Sequence, residues 1–113
     1  MRELKFRAWY YHQNKFQYGG LEMFRDFSFP LNWCEIQQFT GLKDNKVKEI
    51  YEGDILKCPK GYHFEVFWLD ADSSFELAYL DCDKTPDDYA PVFNWRFALT
   101  SEIIGNKYEK PKI

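Results

Sequence analysis

Apolar and polar residues alternate with a period of two along most of this chain. Leu4, Phe6, Ala8 and Tyr10 alternate with Glu3, Lys5, Arg7 and Trp9. Phe64, Val66 and Trp68 alternate with His63, Glu65 and Phe67, and Phe75, Leu77 and Tyr79 with Glu76 and Ala78. Near the end, Phe93, Trp95, Phe97 and Leu99 alternate with Asn94, Arg96 and Ala98. Short alternating runs rich in aromatics predict half-buried β-strands. Breakers separate them: Gly19-Gly20, Pro30, Gly41, Gly53, Pro59 to Gly61, Pro86 and Pro91. Asp70-Ala71-Asp72-Ser73-Ser74 falls between two runs and predicts a hairpin loop, because Asp and Ser bond nearby backbone in turns. Asp81 to Pro91, with four aspartates and two prolines, predicts an exposed loop. Leu21, Phe24 and Phe27 fit two turns of helix, yet the same stretch alternates as a strand, so both readings stay open there. The expected architecture is mostly β (β-rich α+β at most): a small or SH3-like barrel with one short helix at most. It forms a single domain over residues 1–113.

Composition sharpens this picture. The 113 residues include eleven Phe, eight Tyr and four Trp, enough large rings to build a core from few side chains. A small barrel cannot hold all of them, so the excess predicts exposed patches and self-association into a homo-oligomer. Fifteen basic against eighteen acidic residues leave a net charge of −3, which argues against a general polyanion binder. No apolar run reaches the roughly 20 residues of a membrane span. Met1-Arg2-Glu3-Leu4-Lys5 lacks the apolar core of a signal peptide. Cys34, Cys58 and Cys82 are odd in number, which suits a reducing compartment, and a cytoplasmic protein is expected.

The chemistry-bearing motifs are weak. The cysteines recur every 24 residues, but the segments that follow them share no pattern, so no repeat is inferred. Cys58 and His63 are too isolated to make a zinc site or a nucleophile pair. Asp70, Asp72 and Ser74 partly mimic a calcium loop, but Phe75 stands where that loop needs Gly. No cofactor and no metal are expected. In Tyr51-Glu52-Gly53-Asp54-Ile55, Gly53 and Asp54 predict a turn that feeds a strand. A hydrolase using Glu52 and Asp54 is the least favoured reading, since a catalytic pair needs a third polar group. Thr40-Gly41-Leu42-Lys43-Asp44 predicts a hairpin turn, and Gly105-Asn106 a bulge or turn in the last strand. Lys5, Arg7 and Trp9 share one strand face. With Trp95 and Arg96 they form the predicted interaction surface, for a protein or, as the alternative, for single-stranded nucleic acid.

Four separated pieces resemble one family. They are Arg2-Glu3-Leu4-Lys5-Phe6-Arg7-Ala8-Trp9, then Gln38-Phe39-Thr40-Gly41-Leu42-Lys43-Asp44, then Lys48-Glu49-Ile50-Tyr51-Glu52-Gly53-Asp54-Ile55, and finally Glu102-Ile103-Ile104-Gly105-Asn106-Lys107-Tyr108-Glu109 with Pro111. Together they resemble the YopX-like proteins, small phage and prophage proteins of low-GC Gram-positive hosts. The resemblance implies phage origin, a host-cytoplasm location and a β-rich fold, and brings no catalytic residue with it. The chain departs from the family twice. Lys46-Val47 replaces the usual Asn-Gly before the Lys-Glu-Ile run, and Tyr10 replaces an acidic residue after the first Trp. Without that Gly, Asn45 is the residue expected at positive φ in the turn. The function expected is that of a non-catalytic accessory protein that binds itself or a host or phage protein.

Overall fold

The computed structural model describes residues 4–20, 22, 33–80 and 91–111. Two four-stranded antiparallel sheets make up the fold, with strand orders β2-β1-β3-β4 and β7-β6-β5-β8. β1 (Phe6–Tyr10) turns into β2 (Lys15–Gly19), and β3 (Cys34–Lys43) pairs with the other side of β1. β3 runs on to β4 (Glu49–Tyr51). Glu52-Gly53 then carries the chain into the second sheet: β5 (Asp54–Lys57), β6 (His63–Leu69) and β7 (Ser74–Tyr79). The helix α1 (Trp95–Thr100) precedes β8 (Glu102–Asn106), which pairs with β5. Among the described residues the chain forms the expected mostly-β fold with one short α-helix. The possible helix around Leu21 to Phe27 and the acidic loop up to Ala90 lie outside the described residues.

The main core fills the space between the second sheet, α1 and the inner side of β3–β4. Ile50, Leu56, Cys58, Phe64, Val66, Phe97 and Ala98 form it, flanked by Leu42, Phe75, Tyr79 and Phe93. Phe64 sits at its centre, its ring 4.5 Å from that of Tyr79 and 5.5 Å from that of Phe97. Cys34 and Cys58 are buried. The hairpin expected at Asp70 to Ser74 joins β6 to β7, with Ser73 at φ 49° and its N–H donating to the Asp70 carbonyl.

Three local expectations are corrected. Residues 93–99 do not form a strand. The Asn94 side chain accepts from the Phe97 N–H at 2.9 Å and caps a helix that turns Phe97 and Ala98 inward. An apolar residue at every second position fits a strand, but a capping Asn before two adjacent inward residues fits a helix better.

Gly41 is not in a hairpin turn. It stands at φ 90° inside β3, where the register against β4 shifts between Phe39 and Lys43. The turn falls later, over Asp44 to Lys48. There Asp44, 1% exposed, accepts from the N–H groups of Lys46 and Lys48 through Oδ1 and from Ile103 through Oδ2.

The third correction concerns the turn itself. Val47, not Asn45, takes the left-handed conformation, at φ 63°. It occupies the position where the family carries Gly. A β-branched residue in that region is strained, and an L-residue pays about 1–2 kcal/mol there. Val47 is 72% exposed and gains little packing in return. Val47→Gly is therefore expected to raise stability by about 1 kcal/mol, read as a higher urea midpoint at unchanged slope.

Candidate functional site

One face of the first sheet carries a polar network set among aromatic rings. Cross-strand register places Arg7 beside Tyr18 and Gln37, Trp9 beside Phe16 and Glu35, and Phe39 beside Tyr51. Because strand side chains alternate, these residues all point to the same side. Arg7 is at the centre, with its side chain only 5% exposed. Its guanidinium carbon lies 4.1 Å from the Phe16 ring centroid and 4.9 Å from that of Tyr51. Nε donates to Gln37 Oε1 at 2.7 Å, and Nη2 donates to Asp54 Oδ1 at 2.8 Å and to the Glu52 carbonyl at 3.3 Å. Asp54 Oδ2 accepts from the Tyr51 N–H at 2.8 Å. Gln37 passes the network on to Glu35, which also accepts from Lys107 Nζ at 2.9 Å.

The C-terminal residues complete this face. Gly105 and Asn106 do form the expected irregularity in β8: Ile55 pairs with Gly105 while its neighbour Leu56 pairs with Ile103. Asn106 Oδ1 then accepts from the N–H groups of Tyr108 and Glu109 and bends the chain back. A Cβ on Gly105 would stand 2.7 Å from the Glu109 carbonyl oxygen, so only glycine allows this return. The return stacks Tyr108 flat on Trp9, with centroids 4.8 Å apart and planes 2° from parallel.

Burial sets the ionisation of these groups. It pushes the Asp54 carboxyl upward, with Arg7 and the Tyr51 N–H pulling back. It raises Glu52 likewise, against the backbone bond from Gln38. For Glu35 burial acts in the same direction, but hydrogen bonds from Lys107, Gln37 and Tyr108 outweigh it and hold this acid below its ordinary range. The Tyr108 phenol is pushed well above its usual value, first by burial and then by its bond to Glu35.

The predicted interaction surface is therefore divided. Lys5 is half-buried beside Glu49. Arg7 and Trp9 are buried, at 4% and 5% exposure, and cannot present a contact stripe or stack nucleic-acid bases. Sequence alternation found their shared face but not the cover that β2 and the C-terminal return supply. Trp95 and Arg96 are exposed, with the Arg96 guanidinium 5.4 Å from the Trp95 ring centroid. Helical geometry, not strand alternation, places both on the surface. Gly53 and Asp54 form the expected turn, Gly53 at φ 87° against the Gln37 amide. Glu52 Oε1 accepts from the Gln38 N–H and Asp54 holds Arg7 and Tyr51, so the two carboxylates proposed as an acid pair each hold a different partner. Cys58 packs in the core, and no group of three or more His, Cys, Asp or Glu among the described residues could hold a metal. No helix among them is long and apolar enough to cross a membrane.

Outside the polar face lies an aromatic hollow of about 370 Å³ between the β6–β7 hairpin and α1. Trp68, Phe75, Phe93 and Trp95 line it, with Thr40 and Leu42 at its floor. The Trp68 and Phe75 rings meet edge-on at 4.9 Å. Trp95 and Leu99, one helical turn apart and hence on one side of α1, are 58% and 54% exposed. Sequence analysis named Trp95 here but not Trp68, Phe75 or Phe93, because the partners of the hollow come from three separate segments.

Two antiparallel sheets bridged by a buried Arg–Asp pair, with a capped helix before the last strand, define a small antiparallel β protein. Its sequence matches the YopX protein family over residues 24–113, and the chain belongs to that family. No match is found among curated proteins. Among solved structures, the fold is similar to that of protein EF1440 from Enterococcus faecalis, with a TM-score of 0.63. That crystal structure is 22% identical in sequence, and the match covers 96% of both chains.

Proposed function

We propose that this protein is a phage or prophage accessory protein of the host cytoplasm that works by binding, without catalysis, through the aromatic surface around Trp95. The observation that carries this reading is the exposure of Trp95 and Leu99 beside a hollow lined by Trp68, Phe75 and Phe93. Exposed Trp with a stacked Arg is the composition favoured at the centre of protein interfaces. Such rings have a large apolar area to lose from water on contact, roughly 25 cal/mol per Å². The first partner is a second copy of the chain, as expected from its excess of aromatics.

Light scattering over a concentration series tests the self-association. The wild-type mass is expected to rise with concentration and that of Trp95→Glu to stay monomeric, with the two proteins equal in thermal stability at dilutions where both are monomers. A monomeric wild type at every concentration would sink the homo-oligomer and leave a different protein as the partner. An unchanged oligomer in Trp95→Glu would remove this surface from the account.

A further inference from the structure

The polar face described above contains a second candidate site, separate from the Trp95 surface. A cavity of about 370 Å³ opens beside Arg7, lined also by Tyr18, Lys48, Tyr51, Asp54 and Asn106. A neighbouring hollow of about 560 Å³ shares Tyr18, Glu49 and Tyr51 with it and extends toward Leu4 and Lys5. Volumes of this order suit small organic molecules.

The charges on its walls are unevenly satisfied. Asp54 is held by Arg7 and by the Tyr51 N–H, and Glu49 is paired with Lys5. Both wall carboxylates are thus already neutralised. Arg7 uses Nε and Nη2 for its three bonds, and Nη1 makes none among the described residues. Lys48 lines the same cavity and makes no ion pair among the described residues, while its backbone N–H is fixed by Asp44. Two cationic residues therefore line a space whose acids are occupied. The nearby rings of Phe16 and Tyr51 and its three hydrogen bonds fix the orientation of the Arg7 guanidinium. Such a preorganised fork loses little entropy when it takes an oxyanion. Tyr18, 58% exposed and edge-on to Tyr51 at 5.5 Å, offers a face against which a flat body can lie.

We infer that this cavity binds a small molecule that joins an aromatic ring to an oxyanion, carboxylate or phosphate. The anion sits between Arg7 Nη1 and Lys48, and the ring lies on Tyr18. Charge-assisted hydrogen bonds of this kind are the strong ones in protein recognition.

Titrations followed by backbone and side-chain NMR test this with phenyl phosphate, benzoate, inorganic phosphate and benzylamine. Phenyl phosphate or benzoate is expected to shift the Tyr18, Lys48 and Tyr51 signals and to bind at least about tenfold more tightly than benzylamine, a step of about 1.4 kcal/mol. Preference between the first two decides whether the oxyanion is phosphate or carboxylate. Weaker binding of inorganic phosphate than of phenyl phosphate would assign part of the affinity to the ring. Lys48→Glu is expected to weaken the anionic probes about tenfold or more while leaving the melting temperature unchanged, and Lys48→Arg to keep them. Should Lys48→Glu fold poorly, Lys48→Gln reads the same loss. Equal binding of benzylamine, absence of binding by both aromatic anions, or full binding by a folded Lys48→Glu protein would each overturn the assignment.

Discussion

Asp54→Ala is expected to destabilise the protein by about 3–5 kcal/mol, measured as a lower urea midpoint at unchanged slope. The reason is asymmetric. Asp54 and Arg7 have side chains only 3% and 5% exposed, and the pair spans the two sheets, from β5 to β1. Removing the carboxylate leaves the largely buried guanidinium without its counter-charge beside two rings, and leaves the Tyr51 N–H without its acceptor. Because the two residues act as one unit, the double variant Arg7→Met, Asp54→Asn should cost clearly less than the sum of the two single changes. A loss below about 1 kcal/mol for Asp54→Ala would mean that water from the adjoining cavity replaces the carboxylate at little cost and that the pair does not hold the sheets together.

Phe64→Ala is the second large effect, also about 3–5 kcal/mol. Phe64 is fully buried near the start of β6 and touches Tyr79 across the sheet and Phe97 on α1. Deleting its ring removes the transfer energy of the side chain and opens a cavity whose walls come from a strand and a helix. Those two walls cannot both move in without breaking the β6–β7 register or the Asn94 cap. The loss of α1 signal in circular dichroism should accompany the change in midpoint. A shift under about 1.5 kcal/mol would show that the core can repack around the gap.

Much of the architecture was legible in the sequence. Alternation marked β1, β6 and β7, and the Asp/Ser loop and the Gly53-Asp54 turn were placed correctly. The errors share a physical cause. Period-two alternation over residues 93–99 concealed a helix because it describes side-chain spacing and ignores the capping bond from Asn94. The Lys5, Arg7 and Trp9 face was real, but whether a face is wet depends on what folds over it. Here the cover comes from Phe16 and from Tyr108, a residue ninety-nine positions away from Trp9 in the chain. Asp44 looked like an ordinary turn residue, yet its second oxygen reaches Ile103 and ties the β3–β4 turn to β8. Such long-range partners leave no local trace. The strained Val47 did leave one, as the missing Gly of the family pattern, although the sequence pointed to Asn45 as the residue at positive φ.

The aromatic surface around Trp95 is the central functional claim. Affinity capture from lysate of a phage-carrying host, with wild type and Trp95→Glu compared side by side after nuclease treatment, tests it most directly. The account predicts a specific protein, or further copies of the chain itself, retained by wild type after nuclease and lost with Trp95→Glu. Retention that disappears with nuclease, or that is the same for both proteins, would contradict it.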